Sequence, residues 1–128
     1  MTGRLLPLLL LLLGNPAFAA ERSFQVAGEA FSEAEIVDAR AQPELDGTSS
    51  IRITFNEGAA KRIAAMTQRL AGKPAHIALD RDTVADPIVR EPIRDGVLQL
   101  SGPWSLDGAT ALAKKISGKD PLPDSLEE

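Results

Sequence analysis

The residues of this chain that could do chemistry are few. The 128 residues include one histidine, His76, and no cysteine. Asp80 and Asp82 flank Arg81 a few positions later, and an acidic pair of this kind can serve an acid–base or a metal site. No serine stands in a pattern that supplies a base to activate it. One function hypothesis is therefore a small hydrolase or metal-dependent enzyme centred on His76.

The surroundings of these residues favour a role without chemistry. His76 alternates with the apolar residues Ala75 and Ile77, so its side chain is predicted to point outward. A metal site needs about three or four protein ligands. Asp80-Arg81-Asp82 is typical of a hairpin tip, where an aspartate bonds its own backbone. We therefore predict no catalytic, cofactor or metal site.

The enzyme hypothesis and a binding hypothesis make different structural predictions for His76. An enzyme should hold His76 within about 3 Å of a serine, aspartate or glutamate in a concave pocket. A binding protein should leave His76 isolated in solvent and offer a free strand edge or an apolar groove.

Residues 86–93 and a single tryptophan are the candidates for binding a polypeptide. Pro87 and Pro92 predict an irregular or edge segment, whose free amides could receive an added strand or whose prolines could prevent one. Trp104, before a helix, could pin that helix or anchor a partner. The predicted contact residues are Pro87, Ile88, Val89, Ile93 and Trp104.

The N-terminal residues predict export. Arg4, the apolar run Leu5 to Leu13 and the Ala17-Phe18-Ala19 pattern are typical of a signal peptide at residues 1–19, cut after Ala19. We expect a periplasmic domain at residues 20–123 and a loose acidic tail at 124–128, with no regular structure after Asp120.

The net charge of −4 disfavours nucleic acid and anionic lipid as partners. Without cysteine, burial alone must hold the fold together.

Hydrophobic periodicity predicts the elements that must position these residues. Alternating patterns predict strands near residues 23–27, 36–41, 50–55, 75–80 and 97–100, with Val37 inward and Asp38 outward in the second. Three-and-four spacing predicts helices at 57–71, capped by Asn56, and after Ser105. We predict an α+β fold in β-β-α-β-β-β-α order, with two main helices packed on one face of an antiparallel, ferredoxin-like sheet. The basic side of the first helix is expected to be solvated; it carries Lys61, Arg62, Arg69 and Lys73.

This order of elements, with its turn residues, resembles the head subdomain of the first periplasmic domain of the SecD and SecDF protein-export subunits. The segments that carry the resemblance are Ile51 to Phe55, Met66-Thr67, Pro74 to Asp80, Asp86-Pro87-Ile88, Ile93, Gly96, Leu100-Ser101-Gly102, Gly118 and Leu122-Pro123. The resemblance implies a non-catalytic lobe without cofactors that engages unfolded or emerging polypeptide or Sec translocase subunits. We expect a head that stands alone, without the transmembrane motor.

Overall fold

The computed structural model describes residues 23–123. The predicted signal peptide, its cleavage site after Ala19 and the tail at 124–128 lie outside the described residues. Neither α-helix within residues 23–123 has the length and apolar character of a membrane span.

The described chain contains seven strands, two α-helices and one short 3₁₀ turn. The turn spans Glu33–Glu35. The elements run in the order β1 (Phe24–Val26), β2 (Glu29–Phe31), β3 (Ile36–Pro43), β4 (Ser49–Phe55), α1 (Glu57–Arg69), β5 (Ile77–Leu79), β6 (Asp82–Ala85), β7 (Val97–Gly102) and α2 (Leu106–Ser117).

The strands form two antiparallel sheets. One has the order β2-β1-β5-β6 and the other has the order β3-β4-β7. The predicted α+β class, with antiparallel strands and two main helices, is confirmed. The strands are divided between two sheets because β4 pairs with β3 and β7, whereas β5 pairs with β1 at the start of the domain.

Both helices begin where the sequence predicts, whereas α1 ends at Arg69, two residues before the predicted end. The Asn56 side chain accepts a hydrogen bond from the Ala59 amide at 2.9 Å, and the Ser105 hydroxyl accepts one from Gly108 at 3.0 Å. These bonds satisfy amides that have no partner within the first helical turn. Gly118 ends α2 in a left-handed conformation (φ 77°), which glycine adopts without steric cost.

A single apolar core joins the two sheets and the two helices. Sheet residues such as Phe24, Ile53 and Leu100 are almost fully buried in it, as are Ile63 from α1 and Ile116 from α2. The faces that the periodicity predicts to be apolar are those that the structure buries, with one exception in β3.

The exception is the pair Val37 and Asp38. We predicted Val37 inward and Asp38 outward, but Val37 is 39% exposed and Asp38 only 8%. The pairing of β3 with β4 shifts between Ile36 and Asp38, which indicates a bulge. A bulge adds one residue to a strand, so it inverts the faces that simple alternation would assign.

The end of the described chain lies along β3. Leu122 donates its amide to the Asp38 carboxylate at 2.7 Å, and its carbonyl accepts from Arg40 at 2.7 Å. Lys119 Nζ also donates to the carbonyl of Ile36. Residues 121–123 thus have no regular structure, as predicted, but Leu122 fixes them to the sheet.

Candidate functional site

One concave feature of the described residues is an apolar groove of about 470 Å³ at the junction of the two sheets. We call it the groove. It is lined by residues of β1, α1, β7, the segment between α1 and β5, and the loop before β7. These residues are Val26, Ile63, Thr67, Ala75, Pro87, Ile88, Val89, Arg90, Glu91, Ile93, Val97, Leu98 and Gln99. Arg90 and Glu91 are its two ionisable residues, of opposite sign and adjacent.

One wall of the groove is the segment of residues 86–93, which we call the proline segment. Backbone hydrogen bonds hold it against the chain after α1: Ala75 donates to Pro87, Val89 donates to Lys73, and Gly72 donates to Val89, at 2.7–2.9 Å. It contains no regular strand, only a single bridge between Ile88 and Pro74. The prediction of an irregular segment here is confirmed.

The proline segment is also fixed to α1 by a buried hydroxyl. Thr67 Oγ1 accepts a hydrogen bond from the Ile93 amide at 2.9 Å and donates to the Ile63 carbonyl at 2.7 Å. Thr67 is 2% exposed, so these bonds form away from water. The helix therefore sets the position of the groove wall.

Four of the five predicted contact residues lie together on this wall. Pro87, Ile88, Val89 and Ile93 all line the groove. Ile88 is 55% exposed, whereas Val89 is buried. Ile88 is therefore the contact residue whose side chain is most available to a ligand.

Trp104 lies apart from these four residues. It is half-buried, packs against the core, and lines a separate cavity of about 230 Å³ beside Asp80, Thr83 and Leu112. Its ring also covers Gly102, where an added Cβ would approach the ring to 2.7 Å. Within the described structure, Trp104 packs against the core two residues before α2 begins, and it does not line the groove.

Sequence reasoning missed the walls of the groove that α1, β1 and β7 supply. Ile63 and Thr67 were assigned to the buried stripe of α1, and Val97 to Gln99 were assigned to a strand with no role. These residues meet only in the folded chain. The one local indication was a threonine among the apolar positions of the helix, because a buried hydroxyl needs a partner.

His76 meets one of the two conditions for the enzyme hypothesis. Its Nδ1 atom lies 2.7 Å from an Asp86 carboxylate oxygen, and its Nε2 atom lies 3.5 Å from the Thr83 hydroxyl. The side chain of His76 points outward, as predicted. The binding hypothesis expected His76 to be isolated in solvent, and its contact with Asp86 contradicts that expectation. The side chains of His76 and Asp86 are each 54% exposed, and neither lines the two cavities described above. The pair lies on an open surface, where water is not excluded.

Asp80-Arg81-Asp82 forms the predicted hairpin tip. Leu79 pairs with Asp82 across a two-residue turn in which Asp80 and Arg81 have positive φ angles of 51° and 78°. Positive φ at both central positions is typical of the turns that join two antiparallel strands. In residues 23–123, no three histidine, aspartate or glutamate side chains gather as metal ligands would.

Comparison with known proteins places this architecture in a family. The family model described as "SecDF, P1 head subdomain" matches residues 15–119. The chain belongs to this family. The resemblance drawn from the sequence is thus confirmed, and the P1 head is a domain of protein-translocation subunits.

Relatives of this P1 head are subunits of the protein translocase. The chain is 33% identical to the SecD subunit of Dictyoglomus turgidum over 65% of its own length and 22% of that protein. It is 30% identical to the SecDF subunit of Thermus thermophilus over 74% of its length and 13% of that protein. The chain therefore spans about a fifth or less of the relatives that it matches.

Solved structures of SecDF share the fold. A structure of SecDF described as a membrane component that enhances protein export superimposes with a TM-score of 0.62 at 27% identity, over 70% of this chain and 41% of that one. SecDF in a super-membrane-facing form gives 0.64 at 26% identity, over 73% of this chain and 13% of that one.

Proposed function

We propose that this P1 head is an exported, non-catalytic lobe in the periplasm that binds segments of unfolded or emerging polypeptide during protein translocation. The observation that carries the proposal is the groove, an open apolar surface at the junction of two sheets with Ile88 exposed on its rim. The protein-translocation role of the SecD and SecDF relatives supports a polypeptide as its occupant.

The composition of the groove favours a polypeptide over a small charged metabolite. Its ionisable residues, Arg90 and Glu91, are adjacent and opposite in sign, so they offer no net charge to a ligand. The remaining lining is mainly aliphatic, and an aliphatic surface selects by apolar contact more than by specific hydrogen bonds. A lobe with these properties binds many sequences weakly, which suits a protein that handles diverse exported chains.

Binding to a permanently unfolded polypeptide tests the proposal. A reduced and alkylated model protein serves as the probe, and the native form of the same protein serves as the reference. We expect the unfolded form to bind and the native form not to bind, as measured by fluorescence anisotropy. Replacing Ile88 by asparagine should weaken binding roughly tenfold, because burying such a side chain contributes about 1.5–3 kcal/mol.

Leu45 supplies the matched control. It is another aliphatic residue that is fully exposed, but it lies in the turn between β3 and β4 and does not line the groove. Leu45→Asn should leave the affinity within about twofold of the unaltered protein, since a surface apolar residue outside the site contributes little. Equal losses in the two variants, or no binding of the unfolded probe, would overturn the proposal.

A further inference from the structure

The wall of the groove opposite the proline segment is the edge of strand β7. Val97, Leu98 and Gln99 are consecutive and all line the groove, although neighbouring side chains of a strand point to opposite faces. Leu98 is buried in the core and Gln99 is exposed on the other face. A surface that touches both faces of one strand meets the strand at its edge. β7 is indeed the last strand of its sheet, with β4 on one side.

The hydrogen-bond pattern identifies the backbone groups that point into the groove. The Phe55 amide donates to the Gly96 carbonyl at 2.9 Å, and the pairing register places these two residues opposite each other. Bonded and non-bonded pairs alternate in an antiparallel ladder, so Leu98 bonds to β4 and Gln99 turns its N–H and C=O away from it. The Val97 amide, which also turns away, donates to the Asp95 side chain at 3.1 Å. Among the β7 residues lining the groove, Gln99 thus presents an outward donor and acceptor together.

The proline segment supplies a shorter edge. Its single bridge turns the N–H and C=O of Ile88 away from Pro74, but the neighbouring amides are engaged or absent. The amides of Val89 and Ile93 already donate to Lys73 and Thr67, and Pro87 and Pro92 have no N–H. The groove therefore has the edge of a regular strand on one wall, and apolar side chains with the backbone groups of Ile88 among them on the other. Of the two alternatives drawn from the sequence, an added strand on the proline segment would meet the interruptions at Pro87 and Pro92, whereas β7 offers the edge of a regular strand.

We propose that the groove receives its polypeptide as an added strand beside β7, with two main-chain hydrogen bonds to Gln99. The occupant is an extended, uncharged segment of a non-native chain that carries apolar side chains at alternate positions. Its partial charges complement those of the strand edge, because an extended backbone offers an unpaired C=O and N–H at the same spacing. A helix or a folded sheet has already used these groups. The inference rests on the proposed function and adds the mode of recognition.

Three synthetic peptides test the backbone component. The probe is a capped peptide of roughly eight residues, the length of a long strand, that alternates leucine with serine. In a second peptide the serine amides are N-methylated, and in a third the leucine amides are. We expect one methylated peptide to bind roughly tenfold more weakly than the other, because only one set of amides faces the edge of β7.

Two proline variants test the receiving strand. Gln99→Pro removes the amide in the groove, and Ser101→Pro removes the next outward amide of β7, which does not line the groove. Proline is tolerated on the outer side of an edge strand, so both variants are designed to fold, which circular dichroism and thermal unfolding verify. We expect the first to weaken peptide binding roughly tenfold and the second to leave it within about twofold. Gln99→Thr keeps the amide and should bind like the unaltered protein.

The outcomes separate this inference from the proposed function. If the unmodified peptide and the unfolded polypeptide bind, Ile88→Asn weakens both, and N-methylation has equal effects at both sets of positions, the groove binds by apolar contact alone and strand addition is overturned. If neither probe binds, both proposals fail together. Should Gln99→Pro not fold, the methylated peptides still decide the question on the unaltered protein.

Discussion

At the scale of single residues, Arg62 shows how a charge assigned to solvent can have a structural role. It was expected to lie on a solvated helix face, yet its guanidinium lies 4.2 Å from the centre of the Phe31 ring. It also pairs with Glu35 at 3.1 Å and with Glu29 at 3.3 Å, and donates to the Ala30 carbonyl. Periodicity identified the face of the helix correctly, but a long side chain can reach across it to a neighbouring strand.

Thr67 gives the first residue-scale prediction, because it is the buried link between α1 and the proline segment. Thr67→Val keeps the shape of the side chain but leaves the Ile93 amide without its acceptor. We expect the free energy of unfolding to fall by about 1–3 kcal/mol, the cost of a buried unsatisfied donor. Hydrogen exchange at the Ile93 amide should accelerate roughly tenfold, as the wall of the groove loosens.

Thr67→Ser is the control for this substitution. It removes a methyl group and keeps the hydroxyl, so it should lower the free energy of unfolding by about 0.8 kcal/mol while Ile93 stays protected. Rapid exchange at Ile93 in both variants would mean that packing of the methyl group, and not the hydroxyl, holds the segment in place.

At the scale of elements, the sequence predicts the individual strands and helices better than it predicts how the strands pair. Alternation from Ile51 to Phe55 and the three-and-four spacing around Ile63 identify β4 and α1, because each pattern is local. The division into two sheets depends on which strands pair, and no local pattern in the sequence predicts that pairing. The bulge near Val37 was missed for the same reason, since its cause lies in pairing with β4.

The sequence predicted one wall of the groove but not the others. Pro87 and Pro92 identified a segment excluded from regular strands, and four of the proposed contact residues on it line the groove. The opposite wall comes from β7, and the base from β1 and α1, which lie far away in the sequence. Trp104 was grouped with the segment for its size and character, whereas the fold uses it beside α2.

Gly96 provides the prediction at this scale, because it lies where the start of β7 meets α1. It has a φ of +73°, and a Cβ there would lie 2.9 Å from the Ala60 Cβ. Gly96→Ala therefore combines two costs: a left-handed alanine, at about 1–2 kcal/mol, and overpacking against the helix, at about 1–3 kcal/mol. Both costs should lower the free energy of unfolding, as measured by urea titration.

Gly47→Ala isolates the first of these costs. Gly47 has a φ of +90°, and nothing lies within 4 Å of the position of its Cβ. It should lose only the backbone contribution, so Gly96→Ala should be the more destabilising of the two. Equal losses would show that α1 moves away without cost and that the contact between the helix and β7 is not tight.

At the scale of the whole molecule, Asp38 connects the first half of the domain to the end of the described chain. Its carboxylate accepts from Arg40 at 2.7 Å and from the Leu122 amide, 84 positions away, also at 2.7 Å. Burial alone would raise the pKa of Asp38. The hydrogen bonds from Arg40 and Leu122, with the positive charges of Arg40 and Lys119, outweigh burial and hold the pKa below its ordinary value of 3.8.

This lowered pKa predicts how the stability of the domain depends on pH. Because the unfolded chain binds a proton at Asp38 more readily than the folded chain does, ionised Asp38 stabilises the fold at pH values above 3.8. The contribution is lost as the pH falls through the lower pKa of the folded state. Asp38→Asn should therefore reduce the free energy of unfolding at neutral pH by about 1.5–3 kcal/mol, the value of hydrogen bonds to a charged group.

The comparison of Asp38→Asn with a surface variant decides whether this carboxylate fixes the end of the domain. Asp120 lies in the same terminal segment but is exposed and pairs with Lys114 at 3.1 Å, so Asp120→Asn should change the free energy of unfolding by less than about 1 kcal/mol. In urea titrations over a range of pH, the difference between the unaltered protein and Asp38→Asn should shrink as the pH falls below 3.8. A difference that stays constant with pH would show that the side chain acts by its shape and not by its charge, since a neutral asparagine has no linkage to protons.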